Sequence, residues 1–239
     1  MKAMLIARRE LNAIVRSPMG AIIISVTLLI NGLLFYNMVL TEKLLSGQVL
    51  EQFFYYTSGP MMLAAVALSM RLLAEERQNG TVILLNTSPI SDAEIILGKF
   101  IGAFVVLMIM VLLTLYMPAL ILVNGKVSVG HIAVGYLGLL LLGASVLAIG
   151  IFASSLTRHQ IIAVVIAAAI LVPWLVLWKL AQLVDSPLNK FLNAFALHHQ
   201  NFRTFQTGVL RLDSVVYYVA VTFFFLLAAT KVLEARRWR

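Results

Sequence analysis

The chain has 239 residues, of which 62% are hydrophobic and only 12% are charged, about half the charged share of a soluble domain. This composition excludes an ordinary soluble protein and places the chain in a lipid bilayer. There is no cysteine, which excludes disulfides, thiolate chemistry and cysteine metal sites. The formal net charge is +8; in a membrane protein, an excess of basic residues reports which loops face the cytosol and does not indicate binding to nucleic acid.

Residues 1–17 predict an amphipathic helix that lies on the membrane surface. One face holds Met4, Leu5, Leu11, Ile14 and Val15, and the other holds Lys2, Arg8, Arg9 and Arg16. Such a helix binds an anionic leaflet; the alternative is a solvated terminal helix without a special role. The apolar run that follows is too long for a signal-peptide core and no small-residue cleavage site follows it, so it is predicted to stay as a membrane anchor.

Six apolar runs of about 20 residues are each long enough to cross a hydrocarbon layer of about 30 Å. They are predicted at residues 19–40, 53–73, 98–123, 129–156, 161–183 and 214–233. The predicted fold class is therefore an all-α membrane protein with six transmembrane helices in a single domain, 1–239. Ser17-Pro18 provides an N-cap and a first-turn proline for the first span, and Trp178 with Lys179 is typical of an interface anchor.

The longest polar interruption, residues 74–97, is predicted to form an elbow in water between spans two and three. The helix that leaves the membrane at Arg71 is weakened at Asn79-Gly80, a pair that readily leaves the right-handed helical region. Residues 86–89 predict a turn, after which Ser91 and Glu94 form a capping box that starts a new helix. This pattern indicates a surface that another protein binds. Gly98 is expected to allow close packing at the start of the third span, and Lys99 is expected to mark the lipid interface.

Residues 187–209 predict two short helices on the opposite side, at about 187–197 and 199–209. Phenylalanines recur among polar residues in this stretch, which is typical of helices that lie in, or dip into, the membrane interface.

The distribution of Lys and Arg predicts the orientation of the chain. Six spans place both termini on one side, together with the elbow and the loop at 154–160. These segments hold 12 of the 18 basic residues. By the positive-inside rule, both termini and the elbow are expected in the cytosol.

Several kinds of chemistry are missing from the sequence. No ionisable residue lies in the middle third of any span, which disfavours an ion-coupled carrier, and there is no glycine-rich phosphate loop. Glu75-Glu76 superficially resembles the Glu-Glu-x-x-x-Arg motif of CAAX-type membrane proteases, but Gly80 occupies the arginine position. The histidines, including His198 and His199, have no metal-ligand spacing and are interpreted as interfacial.

The elbow resembles that of the permeases of type-2 ATP-binding-cassette exporters, and most closely the gliding-motility-associated type. The matching residues are Glu75-Glu76-Arg77, Gly80-Thr81, Leu84-Leu85, Ser88-Pro89-Ile90-Ser91, Glu94-Ile95 and Leu97-Gly98-Lys99. The resemblance extends over the whole chain, from the N-terminal helix through the six spans to the two short helices, which it implies are re-entrant.

The resemblance also implies partners. Two permease chains, identical or related, would form the membrane channel, and a cassette ATPase would dock on each through the elbow, with an accessory extracytoplasmic subunit as a further partner. This chain would hold no cofactor, since ATP and Mg²⁺ bind the ATPase, and it would lie in a bacterial inner membrane. The elbow residues implied to contact the ATPase are Arg71, Glu75, Glu76, Arg77, Asn79, Gly80, Thr81, Leu84, Leu85, Ser91 and Glu94.

Within that set, Glu75, Glu76 and Arg77 are expected to make polar contacts, Leu84 and Leu85 to pack into the ATPase cleft, and Gly80 to allow the bend. The alternative is that these charges only solvate a loop. Arg8, Arg9 and Arg16 are expected at the membrane interface, with an additional ATPase contact as the alternative for Arg8 and Arg9.

Three functions remain open at this point. The first is the permease subunit of an ATP-driven exporter, which is not an enzyme by itself. The second has the same fold but transmits force to a partner protein without moving a solute. The third, a membrane enzyme, is disfavoured by the missing motifs. The substrate is not predicted.

Overall fold

The computed structural model describes residues 2–39, 46–78, 80, 90–125, 127–185 and 188–237 of the chain. Every regular element in these ranges is helical, and no strand occurs among them. The helices are α1 Lys2–Arg16, α2 Pro18–Leu34 with a terminal π-turn Phe35–Val39, α3 Ser46–Ser69, α4 Arg71–Gln78, α5 Asp92–Leu113, α6 Tyr116–Asn124, α7 Val129–Leu156, α8 Gln160–Ala181, α9 Leu188–Phe195, α10 Asn201–Gln206 and α11 Leu212–Arg237.

Six of these helical stretches are long and apolar enough to cross a membrane, which confirms the predicted fold class. They are Pro18–Val39, Ser46–Gln78, Asp92–Val123, Val129–Leu156, Gln160–Ala181 and Leu212–Arg236. The helix of the second span begins at Ser46, earlier than the predicted start at residue 53.

Helix starts follow local sequence chemistry. Ser17 caps α2 by accepting a hydrogen bond from the Gly20 N–H at 3.0 Å, with Pro18 at the first helical position, as predicted. Pro118 breaks the third span: α5 ends at Leu113 and α6 begins at Tyr116. A proline ring clashes with the carbonyl four residues earlier, which here is that of Thr114.

Helix α7 forms the centre of the bundle and packs against α3, α5, α8 and α11. Its glycines bring neighbouring helices close. A Cβ atom at Gly150 would lie 1.8 Å from the Ser69 hydroxyl oxygen of α3, and one at Gly138 would lie 2.4 Å from the Phe205 Cβ of α10. Small residues therefore set the helix spacing here.

Helix α1 packs across the beginning of α5 rather than lying free of the bundle. A Cβ at Gly98 would approach the Ala3 carbonyl oxygen to 2.7 Å, and one at Gly102 would approach that of Ala7 to 2.8 Å. Ile14 is buried, whereas the other residues of the predicted apolar face divide between half-buried and exposed. The apolar face of α1 is therefore only partly directed at the bundle.

The two predicted short helices are present as α9 and α10, and side chains satisfy the carbonyls between them. The Phe195 carbonyl accepts hydrogen bonds from the Trp174 indole and the Tyr217 hydroxyl. The Leu197 carbonyl accepts one from Tyr218 at 2.7 Å. This stretch is therefore fixed to α8 and α11.

Candidate functional site

The end of the second span carries the elbow, and its geometry begins with a break at Met70. Helix α3 ends at Ser69 and α4 begins at Arg71. The Ser154 hydroxyl of α7 fits into this break: it donates to the Met70 carbonyl at 3.0 Å and accepts from the N–H groups of Leu73 and Ala74 at 3.2 and 2.9 Å. One buried side chain thus satisfies backbone groups on both sides of the break.

Lys99 lies at the centre of the charged contacts. Its side chain is 2% exposed, and its ammonium group lies 3.1 Å from a carboxylate oxygen of Glu10 and 2.8 Å from one of Glu76. These residues belong to α5, α1 and α4, so the ammonium group ties three helices together. The interpretation of Lys99 as a lipid-interface marker was wrong, because the two carboxylates compensate its charge inside the protein.

Arg71 joins the same region to the start of the first span. Its guanidinium group contacts the Glu75 carboxylate at 2.8 Å and donates to the Ser17 hydroxyl at 3.0 Å. Since Ser17 is also the N-cap of α2, the elbow helix α4 is fixed to the junction of α1 and α2.

The far side of α4 contacts the end of α7. Arg77 donates to the Ser155 carbonyl, and Arg236, at the end of α11, donates to the Leu156 carbonyl at 2.7 Å. The carbonyls that end a helix lack intrahelical partners and carry partial negative charge, so both arginines stabilise this terminus.

A polar cavity of about 260 Å³ lies between α1, α2, α4 and α5. The charged residues that line it are Arg9, Glu10, Arg71, Glu75, Glu76 and Lys99. Four segments thus meet at one end of the bundle: the N-terminal segment, the elbow helix, the loop at 154–160 and the end of α11. The sequence predicted that these four segments lie on the same side.

The structure places the predicted elbow residues in two groups. Arg71, Glu76 and Arg77 contact other helices of this chain, and Glu75 pairs with Arg71 within α4. Ser91 and Glu94 form the predicted capping box, with the Glu94 N–H donating to the Ser91 hydroxyl and the Ser91 N–H to the Glu94 carboxylate.

Gly80 has a φ of 73°, which confirms that the chain leaves the right-handed helical region there. Asn79, Thr81, Leu84 and Leu85 lie outside the described residues, as does the predicted turn at 86–89. Their contact with an ATPase stays a prediction.

The predicted membrane-interface residues are on the surface or near it. Arg8, Arg9, Arg16 and Lys179 are exposed. The Trp178 ring stacks on His199 with centroids 4.2 Å apart. The position of these side chains relative to a membrane stays a prediction.

Sequence reasoning missed Glu10, Ser154 and Arg236 as parts of this site. Glu10 could have been noticed, because it is the only acidic residue of a basic amphipathic helix. Ser154 and Arg236 gave no such indication, since their partners are 80 or more positions away in the sequence.

Comparison with known proteins gives one family. The model of a family described as "ABC-2 family transporter protein" matches residues 4–235, nearly the whole chain. A search of curated proteins gives no significant match.

Proposed function

This chain belongs to the ABC-2 family of transporter proteins, and from that premise we propose that it is the permease subunit of an ATP-driven exporter. As a member it is a multi-pass membrane component of an ABC transporter. The proposal adds that a separate cassette ATPase docks on the elbow, holds the ATP and Mg²⁺, and moves the spans of this chain.

The observation that carries the proposal is the connection of the elbow helix to three other elements. Lys99 joins α4 to α1 and α5 through two carboxylates, and Ser154 joins it to α7. Because packed helices move as units rather than deforming continuously, a force applied to α4 would reach spans three and four together with the N-terminal helix.

The contacts divide the elbow into two roles under this proposal. Glu76 and Arg77 are engaged within the chain and would transmit motion. Asn79 to Leu85, with Ser91 and Glu94, would form the surface that the ATPase binds. Glu75 is 35% exposed beside Arg71 and can serve both roles.

The proposal also covers the orientation of this chain in the membrane and its assembly with a second permease chain. The end that gathers α1, α4 and the last turn of α11 would face the cytosol, in agreement with the distribution of basic residues. Two permease chains would form the passage in a bacterial inner membrane, with or without an accessory extracytoplasmic subunit. The gliding-motility-associated subtype rests on the elbow sequence alone.

The outer short helices would be re-entrant in this arrangement. Backbone carbonyls inside a membrane must be satisfied by the protein. Side chains donate hydrogen bonds to the carbonyls of residues 194–197, where α9 ends. The Asn201 amide donates to the carbonyls of Ala194 and Ala196, and the bonds from Trp174, Tyr217 and Tyr218 described above complete the set. That arrangement suits a segment that enters the bilayer and returns.

The test is reconstitution of the full chain with its cassette ATPase in liposomes. We expect the permease to stimulate ATP hydrolysis, and Leu84→Asp with Leu85→Asp to abolish the stimulation without preventing membrane insertion. Val209→Asp with Leu210→Asp, at adjacent exposed positions outside the spans, between α10 and α11, serves as the matched control. Equal stimulation by wild type and the Leu84/Leu85 variant would contradict the proposed docking.

A further inference from the structure

A small cavity lies inside the bundle, between the first three spans. Polar side chains from all three spans line it: Thr27, Asn31, Thr57 and Thr114. Thr27 and Asn31 are four positions apart and therefore lie on one face of α2. Both belong to the middle of the first span, Pro18–Val39. Because no bulk water reaches the middle of a span, polar groups at this depth need partners inside the protein.

The Asn31 amide carries a buried acceptor that its neighbours in the chain leave unsatisfied. Asn31 is 4% exposed, and its Oδ1 accepts no hydrogen bond from the described part of the chain. Burying an amide oxygen without a hydrogen bond is costly, and buried polar groups in native proteins are nearly always paired with protein atoms or with ordered water. Since Asn31 lines the cavity, a partner for its Oδ1 would be held there.

Two of the threonines add further acceptors to the same cavity. The Thr27 hydroxyl donates to the Ile23 carbonyl at 2.7 Å. The Thr114 hydroxyl donates to the Val111 carbonyl at 2.7 Å, so the Tyr136 hydroxyl, 3.0 Å from that of Thr114, is the donor in their pair. Both threonine protons are thus used, and their oxygens can only accept. A ligand of this cavity must therefore donate hydrogen bonds.

The size and the charge of the cavity restrict that ligand further. The cavity has a volume of about 10 Å³, and one water molecule requires about 10–15 Å³. None of the described residues that line it is charged, so a metal ion or an ammonium ion would be buried without a compensating carboxylate. Water is neutral, carries two protons and typically forms about three hydrogen bonds when buried.

We propose that this chain binds one water molecule between its first three spans. The water donates one hydrogen bond to the Asn31 Oδ1 and one to a neighbouring threonine oxygen, and it accepts one from the Thr57 hydroxyl. It connects the first span to its neighbours without a direct bond between their side chains. Because a water molecule can exchange one partner for another, the first span can shift against the second while Asn31 stays hydrogen-bonded. The site belongs to the bundle itself and does not depend on an ATPase.

Radiolytic footprinting of the purified full chain in detergent tests this site. X-rays convert water into hydroxyl radicals, which oxidise the side chains nearest to that water. Met61 and Met110 line the cavity and are each 4% exposed, whereas Met117 is fully buried and does not line it. We expect one or both of the cavity methionines, Met61 and Met110, to be oxidised several times faster than Met117, as measured by mass spectrometry of their peptides.

Two double variants separate bound water from general access of solvent. Asn31→Leu with Thr57→Val nearly preserves the side-chain volumes but removes two partners of the water, and it should reduce oxidation of the cavity methionines to the rate of Met117. Asn37→Leu with Thr222→Val is the matched control. Asn37 is exposed at the end of the first span, and the Thr222 hydroxyl donates to a carbonyl of its own helix. This control should leave both rates unchanged.

Three outcomes would overturn the proposal. Oxidation of the cavity methionines no faster than that of Met117 would show that no water is held beside them. Equal oxidation in wild type and in Asn31→Leu with Thr57→Val would show water that does not depend on these partners. Oxidation that rises when sodium chloride is replaced by choline chloride would show that a cation occupies the cavity instead.

Discussion

Lys99 and Glu10 are 89 positions apart in the sequence, yet the ammonium group of one lies 3.1 Å from the carboxylate of the other. Glu76 approaches the same ammonium group from the elbow helix. This buried triad makes the N-terminal helix, the elbow and the third span one mechanical unit, and its removal should be costly.

Lys99→Met should destabilise the chain strongly, because it leaves Glu10 and Glu76 facing each other without a cation. Loss of one partner from a buried pair costs about 3–5 kcal/mol. Thermal unfolding of the purified chain in detergent measures the effect. Arg211→Met is the matched control, since Arg211 pairs with Asp213 at the surface, with side chains 57% and 61% exposed, where a pair contributes about 0–1 kcal/mol.

The combination of Glu10→Gln, Lys99→Met and Glu76→Gln distinguishes charge from packing. Removing all three charges together should recover much of the stability lost by Lys99→Met, because no uncompensated carboxylate remains. The triple variant should nevertheless couple less well to an ATPase. Equal stability of Lys99→Met and wild type would show that the ammonium group does not hold these helices.

Ser154→Ala should destabilise the junction of α3 and α4 at Met70. Two N–H groups and one carbonyl lose their partner in a buried place, at a cost of about 1–3 kcal/mol. Ser145→Ala is the control: Ser145 is equally buried but its hydroxyl bonds only to the Leu142 carbonyl of its own helix. Thermal unfolding compares the two variants, and a larger loss for Ser145→Ala would contradict this account of the break.

Gly98→Ala should push α1 away from α5. Its Cβ would come within 2.7 Å of the Ala3 carbonyl oxygen and the Ile6 Cβ, and such overpacking costs about 1–3 kcal/mol. Gly59→Ala meets no atom within 4 Å and should be neutral or stabilising by up to about 1 kcal/mol. The order of the two unfolding temperatures checks the prediction; a stabilised Gly98→Ala would contradict close packing of α1.

Docking of the outer short helices should weaken in acid through His198. Its imidazole lies 2.7 Å from the Ser58 hydroxyl and packs against the rings of Tyr55 and Phe202. Because Ser58 donates its own proton to the Tyr55 carbonyl, the imidazole is the donor. Burial, and secondarily the charge of His199, lower the pKa of His198 from 6.5 to about 4.

Because docking lowers the pKa of His198, docking is expected to weaken as the pH falls. An undocked His198 takes up a proton near its ordinary pKa of 6.5, whereas the docked one resists until about pH 4, so docking is fully stable above pH 6.5 and is lost progressively between the two values. Hydrogen exchange of residues 195–206, corrected for intrinsic rates, should show falling protection over this range. His198→Gln should remove that dependence, and its persistence in the variant would contradict the assignment.

Local features of the fold were predictable from sequence because they depend on neighbouring residues. Ser17-Pro18, the capping box of Ser91 and Glu94, and the bend at Gly80 follow from side chains within a few positions of the affected backbone. The six spans follow from apolar runs of sufficient length.

The connections of the candidate site were not predictable, since they join distant segments. Nothing local distinguishes Ser154 from Ser155, yet only Ser154 enters the break at Met70. Lys99 follows a polar segment and resembles an interface lysine until Glu10 and Glu76 are brought to it by packing at Gly98 and Gly102.

The most direct measurement of the central claim is site-specific photo-crosslinking in the complex of the full chain with its cassette ATPase. The cysteine-free sequence allows a single Leu84→Cys to carry the photoreactive group, with Val123→Cys, 81% exposed in the native chain, as the control. We predict a covalent adduct with the ATPase from position 84 and none from position 123. An intact complex that crosslinks from position 123 and not from position 84 would contradict docking on the elbow.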